Sequence, residues 1–140
     1  MSLEFDKENH IYRIGGVVYP SVTDIIGYFD LDGLNKVPAD VLEVAAEFGK
    51  YVHEATELYD KGILDRNMLD PKLKPYVEAW AKFLSEHSVR IKETEFSMYH
   101  PALNLPCTID RAATMTIQGK RRFAIIDIKS SVSLPKCTRL

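Results

Sequence analysis

The chain has 140 residues, of which 46% are hydrophobic and 27% are charged, and its formal net charge is −2 at pH 7. This length and apolar content suit one domain with a hydrophobic core. Since no apolar run reaches membrane-spanning length and the first residues lack a signal-peptide pattern, we expect a single cytoplasmic domain without membrane contact. The two cysteines, Cys107 and Cys137, exclude a disulfide framework and a zinc ribbon, so we expect two reduced thiols.

The N-terminal part, residues 1–37, predicts a meander of short strands followed by a helix. The short apolar segments cover residues 3–5, 11–14 and 17–19. Ser21 and Asp24 have the spacing of a capping box, which predicts a helix that starts directly after Ser21. Residues 30–36 are expected to form a loop.

Residues 38–87 predict a helical part. Pro38 should open a long helix that ends near Lys61 and Gly62, because apolar side chains recur between them at helical spacing. Asp70 and Pro71 predict the start of a second helix, with the aspartate as cap and the proline at the first position.

One histidine of the long helix, His53, follows Gly49 by one turn. Such a small-residue face allows another backbone to approach closely, and the histidine could then reach a sheet. A lone histidine on a helix is more often a polar or packed residue than a ligand. By itself, His53 does not predict a site.

Residues 88–140 predict a sheet. Residues 89–100 should form a strand that places Glu93 and Glu95 on one face, where Glu95 is either a site ligand or an exposed carboxylate. Residues 109–117 and 120–129 predict two further strands. The intervening Gln118 and Gly119 suit a two-residue turn that pairs Ile117 with Lys120.

This register sets two carboxylates against each other. Counting back from the turn places Asp110 opposite Asp127, and opposed Cβ atoms lie about 4.5–5.5 Å apart, so both carboxylates could hold one divalent cation. Lys129 shares the face of Asp127. Residues 123–126 are apolar on both faces and predict a buried central strand, in which two facing carboxylates need a cation. The alternative is a solvated edge strand.

Basic residues concentrate at this end of the chain. Residues 1–87 carry 9 Lys/Arg and 16 Asp/Glu, whereas residues 88–140 carry 9 and 4. A polyanion could therefore bind there. The candidate phosphate contacts are Arg111, Lys120, Arg121, Arg122, Lys136 and Arg139. Lys120, Arg121 and Arg122 could equally form a solubilising turn.

Four motifs occur in an order that is specific as a set. They are Pro20-Ser21-Val22-Thr23-Asp24-Ile25, Gly49-Lys50-Tyr51-Val52-His53-Glu54-Ala55, Thr108-Ile109-Asp110-Arg111 and Ile126-Asp127-Ile128-Lys129-Ser130. Together they resemble the PD-(D/E)xK nuclease superfamily, in its RecB-like and phage-exonuclease branch. The resemblance covers nearly the whole chain. It implies one restriction-endonuclease-like α/β domain, with a mixed central sheet flanked by helices.

The resemblance also implies a function. We expect a Mg²⁺- or Mn²⁺-dependent deoxyribonuclease, exonuclease-like, in DNA recombination, repair or phage DNA processing. The residues that match the family's metal ligands are His53, Asp110, Asp127 and the backbone carbonyl of Ile128. Lys129 matches the catalytic lysine, which acts with the two aspartates, and Glu95 resembles an accessory acid. DNA is the expected partner, while a recombination partner protein and the oligomeric state are left open.

The chain departs from the family pattern in two places. Cys107 stands near a position that is commonly glycine, and Leu140 comes about where a helix carrying glutamine and an aromatic residue would begin. We therefore expect a truncated C-terminal part. One alternative function is a catalytically inactive, DNA-binding remnant of the same fold. Another is an unrelated intracellular α/β domain with structural acids.

Overall fold

Two three-stranded antiparallel sheets and three α-helices make up residues 1–29 and 34–130, the part of the chain that the computed structural model describes. The strands are β1 (Leu3–Asp6), β2 (Ile11–Ile14), β3 (Val17–Tyr19), β4 (Arg90–His100), β5 (Leu105–Ile117) and β6 (Lys120–Ile126). The helices are α1 (Val22–Tyr28), α2 (Ala39–Asp60) and α3 (Lys74–Glu86), with a 3₁₀ turn at Leu34–Lys36. None of the described helices is long and apolar enough to cross a lipid bilayer.

The first sheet confirms the predicted meander. β1 pairs with β2 and β2 with β3, both antiparallel, and Tyr12 and Ile14 of the central strand are buried. The capping box of α1 is also present, since Ser21 Oγ accepts a hydrogen bond from the Asp24 N–H at 3.1 Å and Asp24 Oδ2 accepts one from the Ser21 N–H at 2.8 Å. Local side-chain chemistry therefore sets the start of α1.

The long helix α2 begins directly after Pro38 and ends where glycine was expected. Gly62 follows with a φ of +70°, a left-handed conformation that glycine adopts without a Cβ penalty. The predicted apolar stripe is buried only in the second half of the helix, at Val52 and Ala55. Val41 in the first half is 52% exposed.

The predicted start of α3 is wrong by about one turn, because the helix begins at Lys74 rather than after Asp70. The Asp70 carboxylate accepts a hydrogen bond from the Lys72 N–H at 2.8 Å and so closes a local turn instead of capping the helix. Pro75 has no N–H to donate to the carbonyl four residues earlier, so a continuous α-helix from Pro71 would lack that bond.

The second sheet has the order β4-β5-β6, and the predicted hairpin register is confirmed. Ile117 pairs with Lys120 across Gln118 and Gly119, whose φ values of +50° and +74° fit a type I′ turn. All strand pairs among the described residues are antiparallel, so the parallel pairing of a mixed sheet is not found in them.

The prediction of a buried central strand over residues 123–126 is wrong. β5 is the central strand, whereas β6 pairs only with β5 in the part of the chain that is described. Phe123 and Ile125 are 66% and 60% exposed. A run of apolar residues does not distinguish an edge strand with one open face from a strand covered on both faces.

Hydroxyl groups connect the two sheets close to Asp110. Thr108 Oγ1 lies 2.7 Å from Tyr12 Oη of β2 and 2.7 Å from Ser97 Oγ of β4. Because Thr108 precedes Asp110 by two residues, these hydrogen bonds place the first sheet next to the middle of β5, on the same strand face as Asp110.

The hairpin that sets the β5–β6 register is open to a stability test. Gly119→Ala should lower the free energy of unfolding by about 1 kcal/mol, because alanine is strained at positive φ. Gln118→Asn should raise it by about 0.5 kcal/mol, because asparagine favours this turn position. Urea denaturation measures both, and changes of the same sign in the two variants would contradict the type I′ turn.

Candidate functional site

Three side chains from separate elements converge between α2 and the second sheet. His53 Nδ1 of α2 lies 3.6 Å from Asp110 Oδ1 of β5 and 3.7 Å from Glu95 Oε1 of β4. Ligand-type atoms of all three residues lie within 4.8 Å of one another. We call this group the His–Glu–Asp cluster.

Strand register brings the two carboxylates of the cluster together. Thr94 pairs with Arg111 and Phe96 with Ile109, so Glu95 and Asp110 fall between these pairs and face each other. Glu95 has a φ of +48°, a left-handed conformation that is rare outside glycine and costs backbone strain. Such strain in a strand often marks a residue held by its surroundings for a function.

Asp110 and Glu95 differ in how their oxygens are satisfied. Asp110 Oδ2 accepts a hydrogen bond from the Ile128 N–H at 2.6 Å. Glu95 Oε1 is buried and has no hydrogen-bond partner within residues 1–29 and 34–130, because its contacts with His53 and with Arg111 Nη1, both 3.7 Å, are too long for hydrogen bonds. A buried oxygen without a partner is costly, and a bound cation or ordered water would remove that cost.

The charged groups of the cluster shift one another's pKa values. The Glu95 carboxylate, followed by Asp110, raises the pKa of His53 against the opposing effect of burial, and the backbone of Ile128 raises this pKa further. His53 in turn lowers the pKa of Glu95. Burial raises the pKa of Asp110, although the Ile128 hydrogen bond and His53 oppose this shift.

The other predicted acid, Asp127, is not part of the cluster. The β5–β6 ladder ends at the pair Arg111 and Ile126, one pair short of Asp110 and Asp127. The Asp127 side chain is 62% exposed, and its Oδ2 lies 3.0 Å from Lys129 Nζ. Asp127 and Lys129 therefore share a side, as the alternation predicted, but they pair with each other. A cation shared by Asp110 and Asp127 stays a prediction.

Ile128 lies beside the cluster through its main chain. Its N–H donates a hydrogen bond to Asp110, and its backbone helps to raise the pKa of His53. The predicted backbone ligand is thus next to two members of the cluster. The predicted close approach at Gly49 is modest, since a Cβ there would lie 3.5 Å from Ser130 Oγ, an ordinary contact that alanine would also tolerate.

The predicted phosphate contact at Arg111 is wrong. Its side chain is fully buried, and its Nε donates a hydrogen bond at 2.6 Å to Oδ2 of the buried Asp60. Arg121 is exposed but donates hydrogen bonds to Thr114 Oγ1 and to the Ser88 carbonyl. A buried guanidinium cannot reach a nucleic acid backbone, so Arg111 has a structural role.

Of the remaining basic candidates, two are exposed and two lie outside the described residues. Lys120 and Arg122 are exposed at the hairpin, as a phosphate contact or a solubilising turn would require. Lys136 and Arg139 lie outside the described residues, as do Cys137 and the loop residues 30–33. Cys107 is a free thiol, as expected.

Sequence reasoning missed Asp60, the buried partner of Arg111. A usable signal was present, because Thr56 and Asp60 follow His53 at helical spacing and so share one side of α2. An acid on the buried side of a helix calls for a positive partner, and Arg111 is that partner.

The cluster has donors and spacing that a divalent cation could use. Ligand atoms about 2.1 Å from one ion in an octahedron lie about 3.0 Å apart when adjacent and about 4.2 Å apart when opposite. The two distances from His53 Nδ1, 3.6 and 3.7 Å, fall inside that range. Carboxylate oxygens suit Mg²⁺ and Mn²⁺, and the imidazole favours a transition metal.

Comparisons of the chain with protein-family models, with curated proteins and with solved structures find no match.

The electrostatics of the cluster can be tested in ion-free protein. His53 should titrate above 6.5, and Glu95→Gln should lower its pKa because the main cause of the shift is removed. Imidazole NMR shifts measure this pKa, and Glu93→Gln, an exposed acid on the same strand, is the matched control.

The pair of His53 and Glu95 should also make the free energy of unfolding depend on pH. His53, with a raised pKa, contributes stability that is complete below pH 6.5 and is lost as pH rises through its folded pKa. Glu95, with a lowered pKa, contributes stability that is complete above pH 4.5 and is lost on acidification. If Glu95→Gln destabilises the protein no more at pH 5.5 than at pH 8.5, the pair is not formed in solution.

Proposed function

We propose that this protein is a Mg²⁺- or Mn²⁺-dependent DNA nuclease that hydrolyses phosphodiester bonds. The observation that carries the proposal is the convergence of His53, Glu95 and Asp110, with the Ile128 backbone at its border and Lys129 next along the chain. His53, Asp110, Ile128 and Lys129 belong to the motifs that resemble the PD-(D/E)xK superfamily, and Glu95 resembles an accessory acid of that superfamily. We further propose the restriction-endonuclease-like fold, for which the β5–β6 hairpin packed beside α2 is the supporting feature.

His53, Glu95, Asp110 and the Ile128 carbonyl would hold the ion. When bound, the ion supplies positive charge that stabilises the phosphate oxygens during hydrolysis. The Oε1 atom of Glu95 supports this assignment, because it has no hydrogen-bond partner among the described residues. Asp110 is fixed on its other side by the Ile128 N–H, which leaves Oδ1 directed toward His53.

Lys129 would contact the substrate. Its side chain is 50% exposed, so the ammonium group can reach a phosphate or hydrogen-bond the attacking water. Asp127 holds the ammonium group at 3.0 Å and would orient it. A phosphate close to Lys129 would compete with Asp127 for the same charge, and the carboxylate would then be free to turn toward the ion.

DNA is the proposed substrate because of the charge distribution. The basic side chains of Lys120 and Arg122 are exposed on the hairpin that leads to Lys129. An exonuclease-like activity in recombination, repair or phage DNA processing follows from the resemblance.

One observation favours a second candidate function, a DNA-binding remnant without turnover. Asp127 and Lys129 pair with each other at the surface, and Asp127 contributes no atom to the cluster. If that arrangement persists when DNA and metal are bound, the lysine does not reach the scissile phosphate.

The nuclease proposal makes a direct prediction for Lys129. The wild-type protein should cleave labelled duplex DNA with Mn²⁺ and stop when EDTA is added. Lys129→Ala should slow cleavage by about 100-fold or more, because it removes the proposed acid–base or water-orienting group. Lys82→Ala, which removes an exposed lysine of α3, should change the rate little. Mn²⁺ binding, measured by calorimetry, should survive Lys129→Ala but not Asp110→Asn.

Two outcomes would decide against this proposal. DNA binding without cleavage by the wild-type protein would favour the inactive remnant. Retained Mn²⁺ binding and cleavage in Asp110→Asn would show that another site does the chemistry.

The mixed donor set predicts a metal preference. His53→Gln should weaken Mn²⁺ binding by about tenfold or more and affect Mg²⁺ less, because imidazole contributes more to transition-metal binding. His100→Gln, an exposed histidine of β4, is the control. Equal losses for both ions would show that His53 is not a ligand.

A further inference from the structure

A buried network surrounds the guanidinium of Arg111, directly behind the His–Glu–Asp cluster. Nε donates to Asp60 Oδ2 at 2.6 Å, Nη1 to the Asp110 carbonyl at 2.8 Å and Nη2 to Thr56 Oγ1 at 3.3 Å. The guanidinium carbon also lies 5.8 Å from the centre of the Trp80 ring. We call Arg111, Asp60, Thr56 and Trp80 the arginine network.

Both carboxylate oxygens of Asp60 accept hydrogen bonds within this network. Its Oδ1 accepts a hydrogen bond from Trp80 Nε1 at 2.8 Å, and its Oδ2 accepts the one from Arg111. The Asp60 side chain is 3% exposed. Both of its oxygens are therefore committed, so Asp60 is not a further ligand of the cluster but the counter-charge that allows Arg111 to be buried.

The network reaches the cluster at two points. Arg111 Nη1 lies 3.7 Å from Glu95 Oε1, and the same nitrogen binds the main chain of Asp110. Because Glu95 Oε1 has no hydrogen-bond partner in the described part of the chain, its charge is stabilised by Arg111 and, when protonated, by His53, both at 3.7 Å. Arg111 thus acts on the Glu95 carboxylate and on the main chain that carries the Asp110 carboxylate, without touching a substrate.

The network also sets the distance between α2 and β5. Thr56 and Asp60 belong to the helix that carries His53, and Arg111 follows Asp110 in β5. Its three nitrogens bind three separate groups, which a lysine ammonium cannot do with the same planar geometry. The spacing from His53 to Asp110 therefore depends on this guanidinium.

We propose that Arg111, held by Asp60, is the positioning residue that keeps Glu95 and Asp110 directed at one point before any ion binds. This inference rests on the proposed function for the identity of the ion, but the positioning itself can be observed in ion-free protein. The Ile128 N–H reports it, because its 2.6 Å hydrogen bond to Asp110 Oδ2 should shift the amide proton strongly downfield.

The test compares Arg111→Lys with Arg121→Lys, a matched arginine that also hydrogen-bonds within the same sheet, at the hairpin end. In ion-free protein, Arg111→Lys should move the Ile128 amide resonance upfield, whereas Arg121→Lys should leave it in place. Mn²⁺ binding, measured by calorimetry, should weaken about 10- to 100-fold in Arg111→Lys and stay unchanged in Arg121→Lys.

Trp80→Phe is a second variant that keeps every charge. It removes the N–H that holds Asp60, so it should move the Ile128 resonance in the same direction by a smaller amount, even if Arg111→Lys does not fold. Addition of Mn²⁺ at high concentration should restore cleavage in Trp80→Phe, since a loosened cluster raises the metal requirement more than it lowers the maximal rate.

The outcomes separate this inference from the proposed function. If the Ile128 resonance is unchanged in both Arg111→Lys and Trp80→Phe, Arg111 has no positioning role. This conclusion holds whether or not the protein cleaves DNA. If the wild-type protein neither binds Mn²⁺ nor cleaves DNA, the proposed function fails. A shift of Ile128 in the network variants would still support positioning of the two carboxylates in that case.

Discussion

The buried ion pair between Arg111 and Asp60 joins three of the elements around the candidate site, α2, α3 and β5. Charges removed from water are tolerated only when their hydrogen-bonding capacity is met, and removing one partner of such a pair costs about 3–5 kcal/mol. Here Arg111 of β5 binds Asp60 and Thr56 of α2, and Trp80 of α3 binds Asp60 from the other side. Two helices and the central strand are therefore held at one mutual spacing.

That spacing decides the electrostatics of the His–Glu–Asp cluster. His53 reaches the two carboxylates because α2 is held against β5, and its imidazole, when protonated, balances part of their charge. The charges are only partly balanced, since Glu95 Oε1 accepts no hydrogen bond from any described residue and burial raises the pKa of Asp110. A cluster with two carboxylates and an oxygen that lacks a hydrogen bond has the properties expected of a cation-binding site.

The contrast between inner and outer charges bears on the proposed chemistry. The inner acids, Glu95 and Asp110, are partly buried and fixed by backbone and guanidinium contacts, whereas the outer pair, Asp127 and Lys129, is at least half exposed. A fixed inner group suits ion binding because it needs little reorganisation, and an exposed outer pair suits contact with a large substrate. The two groups are connected by the Ile128 main chain, which touches the inner one.

Local chemistry in the sequence determined the capping box of Ser21 and Asp24, the extent of α2, and the hairpin register at Gln118 and Gly119. Each depends on neighbouring residues and on backbone preferences that act over a few positions. The hairpin register also singled out Asp110, whereas His53 and Ile128 were named as site residues only through the resemblance of the motifs. Only the tertiary structure decided that Glu95 joins them, that Arg111 points inward and that β6 is exposed on one face. These outcomes depend on which buried charge finds a partner from a distant element, and no short-range pattern contains that information.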